Sequence, residues 1–120
     1  WETQKIMGDQ SILVNATAVR VPVFYGHAEA IHLETRSPID AQHVKELLAD
    51  APGVTVYDGN EQFPTQVSSA SGNDIVHVGR IRNDITHPCG LNLWVVSDNI
   101  RKGAATNSIQ IAETLIRDYL

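Results

Sequence analysis

Apolar and polar residues along this chain follow two periodicities. Period-two alternation places successive side chains on opposite faces of a strand, whereas apolar residues spaced by three and four mark one face of a helix. Strand periodicity or β-branched composition, bounded by turn residues, predicts five strands at 12–23, 28–36, 54–57, 75–82 and 91–96. The turn residues between the last two segments predict that those strands form an antiparallel hairpin.

Three other segments predict helices. Residues 1–7 are typical of the last turns of a helix that ends at Gly8. A second helix begins after the predicted cap Asp40 and stops at 52–53, and a third runs from Gly103 onward and is expected to pack on the sheet. The predicted buried positions are Val44, Leu47, Leu48 and Ala51 in the second helix and Ala105, Ile109, Ala112, Ile116 and Tyr119 in the third.

The order of these elements predicts an α+β fold, with a mixed, mostly antiparallel sheet and helices packed on one face. A chain of 120 residues has room for one hydrophobic core, so residues 1–120 are expected to form a single domain. Residues 58–73 are rich in loop-forming residues and begin with the turn sequence Asp58-Gly59-Asn60. A loop of this length belongs either to a site or interface or to an exposed connection.

Composition narrows the classes of function. The net charge of -5 disfavours nucleic acid and anionic membrane surfaces as partners, and no apolar run is long enough to cross a bilayer. Without a recognisable secretory leader, a cytoplasmic location is expected. The single cysteine, Cys89, excludes an intrachain disulfide and a multi-cysteine metal site. No glycine-rich phosphate loop is present, and a start at Trp1 inside a helix indicates a piece of a longer protein.

Residues 20–27 carry the strongest candidate chemistry. Arg20 offers a planar fork of donors that suits a carboxylate or phosphate, and His27 can move a proton near pH 7. Their odd separation would place them on opposite faces of a strand, so they share a site only if the chain turns between them. Pro22 and Gly26 predict such a turn, at Tyr25-Gly26. Taken alone, such a pair is structural at least as often as it is catalytic.

Five blocks of sequence resemble one family. They are RVPVFYGHAEAIHLETR (20–36), FPTQV (63–67), VGRIRND (78–84), GLNLWVVSDNIRKGAA (90–105) and IQIAETLIRDYL (109–120). In this order they resemble the carboxy-terminal portion of bacterial aspartate-semialdehyde dehydrogenases, over essentially all 120 residues. The resemblance implies the substrate-binding and dimerisation part of a longer enzyme, whose cofactor-binding half is absent here.

The resemblance also implies a reaction. These enzymes reversibly reduce aspartyl phosphate to aspartate semialdehyde and phosphate with NADP, for lysine, methionine, threonine and diaminopimelate synthesis. By its place in the motif, His27 resembles the family's acid/base, and Arg20 resembles the residue that holds the substrate carboxylate. Asn99 is similar to a position near the nicotinamide, although a structural turn or cap is the alternative. Because the nucleophile and the cofactor loop lie in the absent part, the chain alone is expected to be inactive.

Other reactive residues are assigned no chemistry. Cys89 lies in a Pro-Cys-Gly turn and is an incidental thiol, since the family's nucleophile lies upstream. Glu2 and Lys5 have the spacing of a family substrate-and-phosphate pair, but their segment resembles the stretch just after it, so they are expected to be a surface pair. The histidines are scattered over separate elements and predict no metal site: His27, His32, His43, His77 and His87.

Two alternatives to an enzyme part stay open at this point. The resemblance implies a homodimer, and alternating polar faces with Tyr25, Tyr57 and Trp94 as anchors also fit a non-catalytic dimerisation module. A catalytically dead relative would keep the fold without the chemistry. The presence of both Arg20 and His27 favours the enzyme.

Overall fold

A four-stranded sheet carries the fold in a computed structural model that describes residues 1–59 and 62–120. The strands are β1 (His27–Glu34), β2 (Val54–Tyr57), β3 (Val76–Asn83) and β4 (Gly90–Ser97). The α-helices are α1 (Glu2–Met7), α2 (Ala41–Ala49) and α3 (Thr106–Tyr119), and two π-helical turns span Gln66–Ala70 and Arg101–Ala105. Helix α1 ends at Gly8 in the left-handed conformation, as predicted.

The strand order is β1-β4-β3-β2. Strand β4 pairs antiparallel with both β1 and β3, whereas β2 pairs parallel with β3. This confirms the α+β fold, its mixed, mostly antiparallel sheet and the β3–β4 hairpin. A bulge interrupts the β3–β4 register between Gly79 and Arg82. Within it, Arg80 has a φ of 54°, which a residue with a side chain adopts only at some cost.

The hydrophobic core lies between one face of the sheet and α2. Val78, Ile81 and Leu91 are buried there, and Val44 and Leu48 of α2 pack against them. The prediction for Leu47 is wrong, because this side chain is 56% exposed.

The predicted cap of α2 is confirmed. The Asp40 carboxylate accepts hydrogen bonds from the backbone N–H groups of Gln42 at 2.9 Å and His43 at 3.4 Å. These bonds use N–H groups that have no partner inside the first turn of a helix. The helix therefore begins at Ala41, where its apolar side meets the sheet.

Residues 62–73 cover one end of the opposite face of the sheet. Pro64 and Ala70 are buried, and Trp94 Nε1–H donates to the Pro64 carbonyl oxygen at 2.9 Å. The segment is therefore packed, and it contains the Gln66–Ala70 turn rather than loop alone. The predicted turn at Asp58-Gly59-Asn60 includes Asn60, which lies outside the described residues.

The predicted strand at 12–23 is wrong. Residues 12–23 are all described and have no strand structure, and apolar side chains in and next to this stretch are open to solvent, with Leu13 94% exposed and Phe24 fully exposed. β-branched residues favour strands through packing on neighbours. Here no strand of the described sheet pairs with the segment, so composition alone does not make it a strand.

The prediction for the third helix is only partly confirmed. Helix α3 forms, but none of its residues is buried; it continues directly from the Arg101–Ala105 turn and makes no extensive contact with the sheet. Its apolar side chains face solvent, with Ile109 61% and Ile116 65% exposed. The spacing therefore identified an apolar helix face correctly, while the surface expected to cover it was wrong.

Replacing Gly79 by alanine tests the packing of residues 62–73. The added methyl carbon would lie 2.8 Å from Pro64 Cδ, so the segment would have to move away from the sheet. Overpacking of this kind costs about 1–3 kcal/mol of unfolding free energy, which chemical denaturation measures. The control is Gly103→Ala, whose methyl carbon would have its nearest neighbour at an ordinary 3.8 Å. Equal stability of the two variants would contradict the packing.

Candidate functional site

His27 is the first residue of the edge strand β1. It pairs with Ser97, the last residue of β4, so it lies at the end of the sheet where the chain enters β1 and leaves β4. Its side chain is 64% exposed, and Nε2 lies 3.1 Å from Oε1 of Glu29, two residues further along the same face. An exposed imidazole beside a carboxylate is accessible to a ligand and can exchange protons with it.

The turn before His27 requires glycine for two reasons. Gly26 has a φ of 92°, in the range that residues with side chains rarely adopt. A Cβ at this position would also lie 2.7 Å from Cβ of Gln66. The predicted turn at Tyr25-Gly26 is therefore confirmed, and it brings the start of β1 into close contact with the Gln66–Ala70 turn.

Asn99 joins the loop after β4 to this turn. Its side-chain Oδ1 accepts a hydrogen bond from the Gly26 N–H at 2.9 Å, across 73 positions of sequence. The structure thus brings together the residue before His27 and the predicted cofactor residue. The contact matches the structural turn or cap role that the sequence left as the alternative for Asn99.

A buried carboxylate fixes the loop that carries Asn99. Asp98 is 3% exposed and accepts hydrogen bonds from three backbone N–H groups: Gly72 at 2.8 Å, Ile100 at 2.9 Å and Arg101 at 3.0 Å. The bonds from Arg101 and Gly72 contribute most to lowering the pKa of Asp98, because they stabilise the ionised form. The loop is therefore tied to the turn at Gly72.

A second carboxylate reinforces the same connection. The Arg101 guanidinium donates to both oxygens of Asp74, at 2.8 and 2.6 Å, and the Thr106 hydroxyl donates to Oδ1 at 2.6 Å. Hydrogen bonds from Arg101 and then Thr106 lower the pKa of Asp74 to about 2. Asp74 is thus ionised at neutral pH, and the paired contact to Arg101 is charge-assisted.

Arg20 lies in the exposed irregular stretch that precedes this site. The Val23 N–H donates to the Val21 carbonyl at 2.9 Å, which makes a tight turn around Pro22. A second turn follows at Gly26, so the chain changes direction twice between Arg20 and His27. The objection from their odd spacing on a straight strand therefore no longer applies. Within residues 1–59 and 62–120, Arg20 forms no ion pair and no side-chain hydrogen bond, with the His27 group or elsewhere.

Other candidate residues lie away from this site. Lys5 Nζ is 5.2 Å from the centre of the Trp1 ring, and Glu2 is exposed on the same short helix. Cys89 is a free, half-buried thiol in the β3–β4 connection, where its backbone N–H donates to His87 Nδ1 at 3.2 Å. Among the described residues, no group of three or more His, Cys, Asp or Glu side chains is placed to hold a metal ion.

Two shallow concavities lie elsewhere on the described surface. One is on the part of the sheet face that residues 62–73 leave uncovered, and the other lies beside Lys45 and Tyr57. Neither is lined by Arg20 or His27. In the described part of the chain, no helix has both the length and the apolar character needed to cross a membrane.

Sequence reasoning missed Gln66 and the carboxylate of Asp98. Both belong to blocks that carried the family resemblance, but neither received a role. A turn glycine at Gly26 signalled that something approaches the backbone there. Which residue approaches it depends on how residues 62–73 cross the sheet, and that arrangement leaves no local pattern.

The fold and site together define an α+β domain that exposes a histidine on the edge strand of a mixed sheet. Residues 1–102 match the family described as semialdehyde dehydrogenase, dimerisation domain. The chain belongs to this family.

Similar proteins support the same assignment over the whole chain. The aspartate-semialdehyde dehydrogenase of Shewanella violacea is 66% identical over 119 residues, which are 99% of this chain and 35% of that protein. Aspartate-semialdehyde dehydrogenase 2 of Vibrio cholerae is 64% identical over 119 residues. A crystal structure of the Vibrio cholerae aspartate-semialdehyde dehydrogenase II, complexed with ASA, superposes with a TM-score of 0.95, covering 100% of this chain and 35% of that one. The chain spans about a third of the length of these relatives.

Alanine at Gly26 tests the turn before His27, with Gly8→Ala as the matched control. Both glycines have positive φ, but the space around Gly8 is open. The backbone conformation alone costs about 1–2 kcal/mol in unfolding free energy, and the contact with Gln66 adds about 1–3 kcal/mol for Gly26→Ala only. Chemical denaturation measures the difference. If Gly8→Ala destabilises the protein as much, the close contact with Gln66 is wrong.

Proposed function

We propose that this chain is the substrate-binding and dimerisation part of an NADP-dependent aspartate-semialdehyde dehydrogenase. The complete enzyme converts aspartyl phosphate, NADPH and a proton into aspartate semialdehyde, phosphate and NADP, and the reverse. The observation that carries this proposal is the exposed imidazole of His27 beside a turn that only glycine can form. Identity of 66% and 64% to named relatives supports the same reaction.

His27 acts as the acid/base of this reaction. Its imidazole is exposed on β1, so it is open to a substrate held by the rest of the enzyme. The carboxylate of its partner Glu29 is itself half exposed, and as acid/base His27 would pass protons to and from the reacting centres as their charge changes. Proton transfer by a positioned side chain contributes roughly 10²–10⁴-fold to rate.

Arg20 holds the substrate carboxylate. Its side chain is exposed and forms no ion pair within the described residues, so its donors are available to an anion. A guanidinium contacts both oxygens of a carboxylate at once, which fixes the orientation as well as the position of the substrate. The turns at Pro22 and Gly26 let the chain direct Arg20 and His27 toward one ligand.

This chain supplies little of the cofactor site. NADP, when bound, supplies the hydride or accepts it, and the remaining two-thirds of the enzyme binds most of the molecule. The Asn99 oxygen already accepts from Gly26, so the Asn99 side-chain NH₂ group is what this residue offers a nicotinamide. An exposed carboxamide donor fits such a group.

The enzyme is a homodimer, and the uncovered part of the sheet face is the contact surface. The residues on this face include Ala30, with its small side chain, the half-buried Trp94, and Arg80 and Arg82 at the bulge. Aromatic residues and arginine are enriched in protein interfaces. The match to a dimerisation domain supports a second copy as the partner.

The exposed apolar side chains outside this sheet pack against the rest of the enzyme. They lie on α1, on residues 12–25 and on α3, and isolated domains rarely leave so much apolar surface in water. The chain alone should therefore leave these apolar side chains in water. It should also be inactive, because the nucleophile and the cofactor loop lie in the rest of the enzyme. A dimerisation module without chemistry would need the same surfaces but not the exposed Arg20 and His27.

Grafting this chain into a relative tests the catalytic roles. The chain replaces the matching 119 residues of the Vibrio cholerae enzyme, and phosphate-dependent reduction of NADP by aspartate semialdehyde is followed. The graft should be active. His27→Asn should lower kcat by roughly 10²–10⁴-fold, because proton transfer is lost.

Arg20→Lys in the graft should instead raise KM for the substrate by roughly 10-fold, because the planar fork is lost. The control is His43→Asn, which changes an exposed histidine of α2 and should leave both constants unchanged. Normal turnover of His27→Asn would remove its acid/base role. An inactive graft that still dimerises would favour the module without chemistry.

Sedimentation of the graft tests the contact surface. Ala30→Arg places a charged side chain on the uncovered sheet face and should shift the enzyme from dimer to monomer. The control Ala49→Arg makes the same substitution at an exposed position of α2 and should stay dimeric. If Ala30→Arg remains a dimer at the lowest measurable concentration, the two copies meet elsewhere.

A further inference from the structure

The side-chain oxygen of Asn99 is occupied by a hydrogen bond from the protein's own backbone. It accepts the Gly26 N–H at 2.9 Å, and Gly26 directly precedes His27. A residue that only contacts a bound cofactor would have no need of this bond. The bond links the residue just before β1 to the loop that follows β4.

The position of Asn99 is itself fixed. The adjacent Asp98 is buried and holds the Gly72 N–H, while Arg101 is held by the carboxylate of Asp74. The acceptor for Gly26 is therefore carried by a loop anchored on both sides. Such an anchored loop can hold another segment in place, whereas a free loop would move with it.

Side-chain packing does little to fix His27. Its side chain is 64% exposed, and the carboxylate beside it, Glu29, is 53% exposed. The place of the imidazole is therefore set mainly by the backbone from which it projects. That backbone is held at Gly26 by the Asn99 hydrogen bond and by the close contact with Gln66.

We infer that Asn99 is a positioning residue for His27, acting through the Gly26 backbone. This rests on the acid/base role proposed for His27. The hydrogen bond fixes the turn, and the turn fixes the imidazole relative to the substrate. The role needs only an acceptor oxygen at position 99, so it differs from a nicotinamide contact, which uses the NH₂ donor.

Two substitutions in the grafted enzyme separate these roles. Asn99→Ala removes the acceptor and should lower kcat by roughly 10- to 100-fold, because a displacement of about 1 Å in an active site costs on the order of 100-fold. Asn99→Asp keeps an acceptor but loses the NH₂ donor proposed for the nicotinamide, so it should raise KM for NADP while lowering kcat much less than Asn99→Ala does. The control is Asn107→Ala, at an exposed position of α3.

Amide exchange gives a readout that does not depend on activity. The Gly26 N–H should exchange roughly 5-fold or more faster in Asn99→Ala, as expected for loss of one hydrogen bond, and at the normal rate in Asn99→Asp. Should Asn99→Ala fail to fold, Asn99→Ser repeats the test, since its hydroxyl ends one bond closer to the backbone than the Asn99 Oδ1.

The outcomes are distinguishable. Equal losses in the alanine and aspartate variants, seen mainly as a raised KM for NADP, would overturn positioning in favour of a cofactor contact. Faster exchange at Gly26 with unchanged kcat in Asn99→Ala would also overturn it. Normal turnover of His27→Asn would instead remove the proposed function, whatever the Asn99 variants do.

Discussion

The buried carboxylate of Asp98 is the constraint on which the site depends. It lies just after the end of β4 and accepts backbone N–H groups from both its own loop and Gly72, so it ties the sheet to the segment that crosses it. Because a buried charge is costly without partners, this arrangement is well defined. Asn99 and, through it, Gly26 take their places from these bonds.

The rest of the described structure divides into elements that enclose the core and elements that lie outside it. Strands β1–β4 and α2 enclose the core, whereas α1, residues 8–26 and α3 lie outside it with exposed apolar side chains. Arg20 lies in the elements outside the core, and His27 lies where they join the sheet. The proposed site would therefore need further surfaces to be complete, which agrees with a chain that spans 35% of its relatives.

Elements whose periodicity, turn residues or caps lie within their own segment could be predicted from the sequence. The β3–β4 hairpin has alternation and turn residues, and α2 has its own cap at Asp40. The prediction of a strand at 12–23 was wrong because its valines favour a strand only when a neighbouring strand packs against them. The prediction that α3 packs on the sheet was wrong because residue spacing identifies an apolar helix face but not the surface that covers it. For the site, the glycine at position 26 predicted the turn. The bond from Asn99, 73 positions away, has no local signal.

In the proposed enzyme, Arg20 and His27 act on one ligand. A crystal structure of the grafted enzyme with aspartate semialdehyde bound tests it most directly. The Arg20 guanidinium should lie about 2.7–3.2 Å from the substrate carboxylate, with His27 within hydrogen-bonding reach of the reacting centre. A substrate held by other residues, with Arg20 turned to solvent on the opposite side of the sheet from His27, would contradict it.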